Sequence, residues 1–549
     1  VHALSKVAQM QYITGDPKKA LKTTELSIQY NMKLINDFFP NLNERAKTKF
    51  WAIHQPDFEF YNTLAFGTTD PKPKYAANVF NNSLATKALL LNSSIKLKEN
   101  ILDSGDSALI AKFKQYQALR ESLATNISNS SSSLVAGQES IKKTQKQIDL
   151  LEKELSQDNP LFSTTIDHHS YNWQEVKAKL KEGEAAIEII RYRYYDQNFS
   201  DSIVYIALLI DETTKKSPKI IELGNGSQME TSQLKYYRNA INYRINDEKS
   251  YSNYWEAIDQ HLNGINTIYL SGEGVYNQIN PETFYSNGDF LLNKYNINLI
   301  TSTKDLLSPR DSSSANSSPV LIANPKYYTT PSQQQYISQL IGAEHEVKSI
   351  QDILIQDSLL PKVYIYDEAT EQRLKDLDSP AFLHIASHGY FISTVSDSTQ
   401  SYEIYTQRSL EDPLLKSGIL LANGGYIVDN NAYFNYNKED GVLTSLEAMN
   451  LNLDNTQFVV LSACETGLGE IKNGEGVYGL QRALKIAGAK TIFMSLFKVD
   501  DEVTDMLMTL FYQNYLQTKN TKTAFIEAKK ELMKTYSAPY YWGAFIMIE

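Results

Sequence analysis

Phe458-Val-Val-Leu-Ser-Ala-Cys464-Glu-Thr-Gly-Leu-Gly469 is the stretch that decides the fold, because it joins a buried strand to a reactive side chain. Its first half is an apolar run rich in β-branched residues, which is typical of a buried strand. The run ends at a thiol, and glycines follow at once, as a tight turn requires where the backbone approaches a ligand closely. Cys464 is the one cysteine among 549 residues, so no intramolecular disulfide competes for it.

A second stretch, Ala381-Phe-Leu-His384-Ile-Ala-Ser-His388-Gly389, has the same layout and predicts an apolar strand that ends in a histidine and a glycine. The thiolate is the reactive form of cysteine, and a neighbouring imidazole helps to generate it at neutral pH. Two parallel strands with Cys464 and His388 at their tips therefore suggest a nucleophile and its base. His384 lies deeper on the same face, which favours a packing or supporting role.

Such chemistry also needs donors for an oxyanion and a pocket for the substrate. The backbone N–H groups of Gly389 and Cys464 are the candidates for the oxyanion hole. Three acidic residues could select a basic substrate side chain: Glu465, Asp500 and Asp501. Each of the three could equally be a helix cap or a solvated loop charge. A lone cysteine or histidine at a strand end is likewise more often a structural residue.

Length and composition bound the class of protein. A chain of 549 residues is too long for one core, so we expect two to four domains. It is 42% hydrophobic and 21% charged, as soluble globular proteins are, and no apolar run reaches the ~20 residues of a membrane span. The net charge of -11 argues against nonspecific binding to nucleic acid or to an anionic membrane. One cysteine fits a reducing, cytoplasmic compartment, and the start at Val1 without methionine suggests a fragment of a longer protein.

The first 157 residues carry the patterns of helices. Near the start, small and apolar residues recur at the spacing of a helix–turn–helix repeat, at Leu4, Ala8, Gly15-Asp16, Ala20-Leu21 and Ser27-Ile28. This spacing resembles one tetratricopeptide repeat, with Gln11 and Thr24 in place of the usual large residues, and any helical hairpin is the alternative. Residues 77–102 predict one further helix, and residues 138–155 predict a charged helix packed on the array. We therefore expect a tetratricopeptide-like helical region over residues 1–157.

Beyond a boundary predicted near residues 158–160, apolar strands alternate with amphipathic helices. This alternation predicts an α/β region with a mostly parallel sheet covered by helices. Residues 308–319 have the composition of a flexible linker, which divides the region into 158–307 and 320–549. Ligands bind such sheets beyond the carboxyl ends of the strands, where His388, Cys464 and residues 498–501 are expected.

Six blocks of sequence resemble, in their order along the chain, the CHAT family of caspase-like proteases, which commonly carry tetratricopeptide repeats. They are His384-Ile-Ala-Ser-His388-Gly389, Asp440-Gly-Val-Leu-Thr-Ser-Leu-Glu447, Val459-Val-Leu-Ser-Ala-Cys464-Glu-Thr-Gly-Leu-Gly-Glu470, Gly474-Glu-Gly-Val-Tyr-Gly-Leu-Gln-Arg482-Ala, Ser495-Leu-Phe-Lys-Val-Asp-Asp501 and Pro539-Tyr-Tyr-Trp542-Gly-Ala-Phe545. Phe497 stands where tryptophan is usual, and this departure leaves the pair of His388 and Cys464 intact.

The resemblance implies a caspase/separase-like α/β fold, with residues 158–307 as a pseudo-caspase-like half and 320–549 as the catalytic half. It implies peptide-bond cleavage with His388 as general base, Cys464 as nucleophile and Gly389 supplying an oxyanion N–H. No cofactor and no metal are expected. The substrate would be a protein, and a protein partner would activate the enzyme through the helical repeats. The implied setting is bacterial antiviral defence or regulated cell death.

Two other functions stay open at this point. The chain could be a scaffold whose helices bind a partner while the caspase-like domain no longer cuts, although the intact pair of His388 and Cys464 counts against this. A thiol-based acyl transferase would share the pair, but it would need a cofactor pocket. Gly474-Glu-Gly476 is better explained as a turn from a loop into a helix than as a phosphate-binding loop.

Overall fold

The computed structural model describes residues 1–67, 73–129, 136–157, 171–308, 317–330, 337–391, 413–428, 440–463, 466–472 and 474–549. Three features predicted from the sequence fall wholly or mostly outside these ranges. They are the boundary at 158–160, most of the linker at 308–319, and the pair Cys464 and Glu465. Among the described helices, none is long and apolar enough to cross a membrane.

The described part of residues 1–157 forms a helical layer. Its helices are α1 (His2–Ile13), α2 (Pro17–Asp37), α3 (Glu44–Phe66), α4 (Pro73–Thr86), α5 (Leu89–Asp103), α6 (Ser107–Asn129) and α7 (Ala136–Gln157), with a 3₁₀ turn at Phe39–Asn41. The predicted hairpin is confirmed, because α1 packs on α2 and the small residues Ala8, Ala20 and Ser27 are fully buried between helices. Asp16 begins α2 by accepting a hydrogen bond from the N–H of Lys19.

One prediction in this layer is wrong: residues 77–102 do not form a single helix. The chain leaves helical geometry at Ala88, whose φ of 55° is left-handed. The N–H of Ala88 donates instead to the carbonyl of Gly474 at 2.8 Å, and the N–H of Leu90 donates to the carboxylate of Glu475 at 2.9 Å. These contacts with a segment almost 400 residues away override the local helical periodicity.

The strands of the remaining chain are, in order, β1 (Glu184–Asp196), β2 (Asn198–Asp211), β3 (Lys219–Asn225), β4 (Thr267–Ser271), β5 (Tyr285–Ser286), β6 (Asp289–Phe290), β7 (Asn296–Ile300), β8 (Val320–Pro325), β9 (Lys362–Tyr366), β10 (Phe382–Ala386), β11 (Gly389–Phe391), β12 (Ser417–Leu420), β13 (Val442–Thr444), β14 (Phe458–Ser462), β15 (Glu470–Lys472), β16 (Gly476–Tyr478), β17 (Thr491–Ser495) and β18 (Phe545–Ile548). A single 11-stranded sheet has the order β3-β2-β1-β4-β7-β18-β17-β14-β10-β8-β9. Three small sheets pair β5 with β6, β11 with β12 and β13, and β15 with β16.

Nine strands of the large sheet form two blocks of parallel strands that run in opposite directions, and β2 and β3 extend the sheet antiparallel beyond β1. One block is β1-β4-β7-β18, and the other is β17-β14-β10-β8-β9. The blocks meet where β17 pairs antiparallel with β18. The predicted mostly parallel sheet is thus confirmed, while the predicted division at residues 307 and 320 stays a prediction. Because of the reversal, the carboxyl ends of the two blocks lie at opposite edges of the sheet.

Helices flank this sheet. They are α8 (Trp173–Lys177), α9 (Gly226–Gln228), α10 (Leu234–Asn242), α11 (Ser250–Tyr254), α12 (Glu256–Asp259), α13 (Leu291–Lys294), α14 (Ile341–Gln356), α15 (Glu371–Lys375), α16 (Gly425–Val428), α17 (Ser445–Ala448), α18 (Leu480–Ala487), α19 (Asp501–Thr518), α20 (Thr521–Thr535) and α21 (Pro539–Trp542). Helix α19 packs on both α14 and α20, and Phe382 and Phe458 of the sheet pack against aromatic residues of α19 such as Tyr512. Helices α17 and α18 contact α6 and α5 of the N-terminal layer.

Buried ion pairs join the N-terminal layer to the sheet. Lys87 lies 3.0 Å from Glu188 of β1, and Arg482 of α18 lies 3.2 Å from Glu475, the residue that also binds the N–H of Leu90. Burial raises the pKa of Glu475 to about 7, while Arg482 pulls it down. Buried charges persist where they are paired and hydrogen-bonded, so residues 474–482 are fixed against the helical layer.

Replacing Arg482 with methionine tests this junction. Arg482→Met should lower the free energy of unfolding at pH 8 by about 3–5 kcal/mol, because Glu475 then either stays charged without its cation or must take up a proton in the folded state. Lys519→Met is the matched control: its ion pair with Asp357 is exposed, and a change within about 1 kcal/mol is expected. Calorimetry and urea denaturation measure both variants. A loss at Arg482 no larger than that at Lys519 would contradict the structural role.

Candidate active site

Two adjacent parallel strands, β10 and β14, end level with each other at one edge of the sheet. Ala386 at the end of β10 pairs in register with Ser462 at the end of β14. His388 follows two residues after Ala386, and Cys464 follows two residues after Ser462 in the sequence. Cys464 itself lies outside the described residues.

The residues on either side of Cys464 are anchored to the end of β17. The carbonyl of Ala463 accepts a hydrogen bond from the hydroxyl of Ser495 at 2.5 Å, and the N–H of Gly467 donates to the carbonyl of Ser495 at 2.8 Å. The N–H of Ser495 in turn donates to the hydroxyl of Thr466 at 3.3 Å. A Cβ at Gly467 would come within 2.9 Å of that carbonyl, so this close approach requires glycine.

His388 is held by the segment before α14. Its Nε2 lies 2.9 Å from the carbonyl oxygen of Ser338. A carbonyl can only accept, so Nε2 carries the proton and Nδ1 is the basic nitrogen of the neutral ring. Burial lowers the pKa of His388 below its ordinary value of 6.5, and the contact with Ser338 and the charge of Asp501 oppose that shift. The imidazole is therefore neutral and able to accept a proton at neutral pH.

Tyr327 contacts both the ring and the backbone of His388. The two rings are 5.2 Å apart between centroids, and the N–H of His388 donates to the Tyr327 hydroxyl at 3.3 Å. That hydroxyl is also 3.0 Å from the hydroxyl of Ser387, which donates to the carbonyl of Leu420. Backbone and ring of His388 are thus both positioned by a buried tyrosine that follows β8.

Gly389 begins strand β11 with its N–H directed away from the neighbouring strand. The N–H of Leu420 donates to the carbonyl of His388 at 2.8 Å, which makes these two residues a hydrogen-bonded pair. Gly389 lies opposite Ile419, the next position along, and antiparallel pairs alternate between bonded and non-bonded positions. In this alternation the N–H of Gly389 points away from β12.

A cavity of about 220 Å³ opens beyond the ends of β10 and β14. Its lining includes His388, Ser462 and Ala463 from the strand ends, and Glu346 of α14 and Asp501 of α19 from the facing helices. Glu346 is buried with 3% of its side chain exposed, whereas Asp501 is largely exposed. The cavity thus has one carboxylate deep inside and one at its rim, next to the imidazole.

Glu346 is bound from the sheet side. One carboxylate oxygen, Oε2, accepts a hydrogen bond from the hydroxyl of Ser462 at 3.0 Å. The other, Oε1, lies 2.9 Å from Nε2 of His384, but the contact departs from hydrogen-bond geometry. His384 is fully buried, and its Nδ1 is 3.1 Å from the hydroxyl of Tyr512. These contacts agree with the supporting role expected for His384.

The three acidic candidates occupy different positions. Asp500 is the N-cap of α19, where its carboxylate accepts a hydrogen bond from the N–H of Val503 at 3.2 Å, so it takes the capping role left open above. Asp501 lines the cavity, and burial raises its pKa although attraction to His388 opposes the shift. Glu465 lies outside the described residues.

Sequence reasoning missed Glu346, Ser338 and Tyr327. A signal for the first is present, since Glu346 interrupts the buried stripe of α14 formed by Ala343, Val347 and Ile350. A carboxylate on the apolar face of a helix is expected to have a hydrogen-bonding partner or a functional role. Ser338 contributes only a backbone carbonyl, and because every residue has one, the residue type gives no signal for this role.

Residues 249–549 match the CHAT domain family. The chain belongs to this family. Human tetratricopeptide repeat protein 28 (Homo sapiens) is 24% identical over 259 residues, which make up 44% of this chain and 10% of that protein. The chain therefore spans about a tenth of the length of the curated relative that it matches.

Solved structures with partial similarity include a cysteine proteinase and a separase–securin complex. The Arg-specific cysteine proteinase gingipain R of Porphyromonas gingivalis aligns with 10% identity and a TM-score of 0.33, over 58% of this chain and 67% of that one. The separase–securin complex of Saccharomyces cerevisiae aligns with 10% identity and a TM-score of 0.39, over 98% of this chain and 40% of that one. TM-scores this low do not establish a common fold by themselves.

The titration of His388 tests the electrostatics of this CHAT domain site. His388 should titrate below 6.5, because burial disfavours the imidazolium and lowers its pKa. Asp501→Asn should lower the pKa further, since it removes a negative charge that stabilises the protonated ring. NMR of isotope-labelled histidine measures the midpoint, with His388→Ala assigning the signal among the 8 histidines. Asp352→Asn, exposed on α14, is the control, and an Asp501 variant that titrates like it would contradict the assignment.

Proposed function

We propose that the chain is a cysteine endopeptidase, in which Cys464 attacks the peptide carbonyl and His388 acts as general base. The observation that carries the proposal is the position of His388. Its neutral ring, with Nε2 held by Ser338, lines the same cavity as Ser462 and Ala463, the two residues that precede Cys464. A general base must lie within reach of the proton it removes, and this arrangement supports such reach.

In the proposed reaction, Nδ1 of His388 takes the proton of the Cys464 thiol as the sulfur attacks the carbonyl carbon. The carbon–sulfur bond forms, and the carbonyl oxygen becomes an oxyanion that the N–H groups of Gly389 and Cys464 stabilise. The imidazolium then gives its proton to the leaving amine, and the carbon–nitrogen bond breaks. Water, deprotonated by the same imidazole, hydrolyses the thioester and restores the thiol.

We further propose that a protein partner binds the helical layer and activates the enzyme. Large apolar side chains of α1 and α2 are exposed, and they support a protein contact there: Val7, Met10, Ile13, Leu26 and Tyr30. The buried pairs that fix Glu475 and Gly474 against α5 provide a physical link from this layer to the segment after Cys464. The setting proposed from the family resemblance is a bacterial cytoplasmic defence or cell-death pathway.

Cleavage of a proteome-derived peptide library, analysed by mass spectrometry, tests the activity. The wild-type chain should cut at a consistent motif, Cys464→Ala should abolish the cuts, and His388→Ala should slow them by roughly 10²- to 10⁴-fold, the contribution of a general base. Lys519→Met, at the exposed C-terminal cap of α19, should cut as the wild type does. Cuts that survive in Cys464→Ala would sink the proposed nucleophile.

Alkylation by iodoacetamide separates a latent enzyme from a silent scaffold. The single cysteine makes the label report on Cys464 alone. A rate at neutral pH that falls in His388→Ala would indicate an assembled pair, even where no peptide is cut. A thiol that behaves with an ordinary pKa of ~8.5, and that is indifferent to His388, would favour the scaffold.

A further inference from the structure

We propose that the cavity beside His388 is the specificity pocket of this CHAT domain and that it takes a cationic side chain, arginine or lysine, with Glu346 as its deep anion. The inference rests on the proposed protease function and adds its substrate class. The relevant substrate residue is the one whose carbonyl is attacked, because the cavity is lined by the base and by Ala463, immediately before the proposed nucleophile.

Glu346 places a carboxylate deep in the cavity. Its side chain is 3% exposed, and in the described part of the chain its Oε1 atom has no hydrogen-bond partner. His384 is the single basic side chain described within ion-pair distance, and its contact is poorly directed. A buried carboxylate with one unsatisfied oxygen is stabilised by a ligand that brings a cation to that oxygen.

Ser462 keeps this carboxylate at the wall of the cavity. Its hydroxyl donates to Oε2 of Glu346 at 3.0 Å, and both residues line the cavity. Ser462 is also the strand residue two positions before Cys464. The anion is therefore tied to the strand that carries the proposed nucleophile, so the pocket and the reaction centre keep a fixed relation.

Asp501 adds a second negative charge at the entrance. It is the first residue of α19, largely exposed, and within electrostatic range of His388. A side chain that enters past the imidazole meets this carboxylate before it reaches the buried one. Two carboxylates along one path attract a cation and repel an acidic side chain.

The size and the walls of the cavity fit one long side chain. Its volume of about 220 Å³ is below the ~300–1,000 Å³ of sites that enclose a whole small molecule. Leu340, Ala343 and Val499 provide apolar walls between the two carboxylates and the strand ends. The methylene stem of arginine or lysine packs well on such surfaces while its charged head pairs with an acid.

Active-site labelling tests the pocket without requiring turnover. The probes are an acyl-arginine chloromethyl ketone and its citrulline counterpart, which have nearly the same shape and differ in charge. In each case Nδ1 of His388 takes the thiol proton, the Cys464 sulfur forms a bond to the methylene carbon, the carbon–chlorine bond breaks and chloride leaves. The wild-type chain should react roughly 10- to 100-fold faster with the arginine probe, the effect of one charged hydrogen bond.

Variants locate the source of that preference. Glu346→Gln should bring the two rates close to each other, and Asp501→Asn should reduce the preference by a smaller factor. Asp352→Asn removes a carboxylate from the exposed side of the same helix as Glu346 and should keep the wild-type ratio. Circular dichroism checks that the Glu346 variant is folded, and the surface variant Asp501→Asn keeps the test valid if it is not.

Each outcome has a distinct meaning. Equal rates with both probes in the wild type, or a preference unchanged in both carboxylate variants, would overturn the pocket. Peptide cuts that depend on Cys464 but follow uncharged residues would overturn it too, while leaving the protease standing. If iodoacetamide labelling ignores His388 and no peptide is cut, the proposed function fails, and this inference fails with it.

Discussion

The register between β10 and β14 is the constraint on which the rest of the site depends. Pairing Ala386 with Ser462 puts the two strand ends level, so the histidine and the cysteine segments leave the sheet at the same edge. A shift of one residue would turn every side chain of a strand to the opposite face. His384 would then lose Tyr512, and Ser462 would lose Glu346. Both faces of these strands are buried, which holds the register.

The parts of this fold that follow from local sequence are those with a strong local pattern. Strands β10, β14 and β17 are largely apolar runs, and the buried residues of α19 and α20 recur at helical spacing, so their positions are predictable. The break at Ala88 is not, because it depends on the carbonyl of Gly474 from a distant segment. Strands β11 to β13 are three or four residues long and stabilise one another, so none carries a pattern of its own.

The site shows the same division. His388 and Gly389 are recognisable because chemistry-bearing residue types end an apolar run. What orients them is supplied by tertiary contacts: a backbone carbonyl at Ser338, a phenol at Tyr327 and a neighbouring strand at Leu420. Asp500 shows why the sequence alone could not assign the acidic candidates. An aspartate before a helix looks the same in the sequence whether it caps the helix or faces a substrate.

The carbonyl of Ser338 has a consequence for how protons travel. This carbonyl accepts the hydrogen bond of Nε2–H, so Nδ1 is the one ring nitrogen that can accept a proton. In the proposed reaction the ring therefore accepts and donates the proton at the same nitrogen and does not relay it from Nδ1 to Nε2. The proton taken from the thiol stays on Nδ1 for the lifetime of the tetrahedral intermediate. It is then transferred from the same nitrogen to the leaving amine.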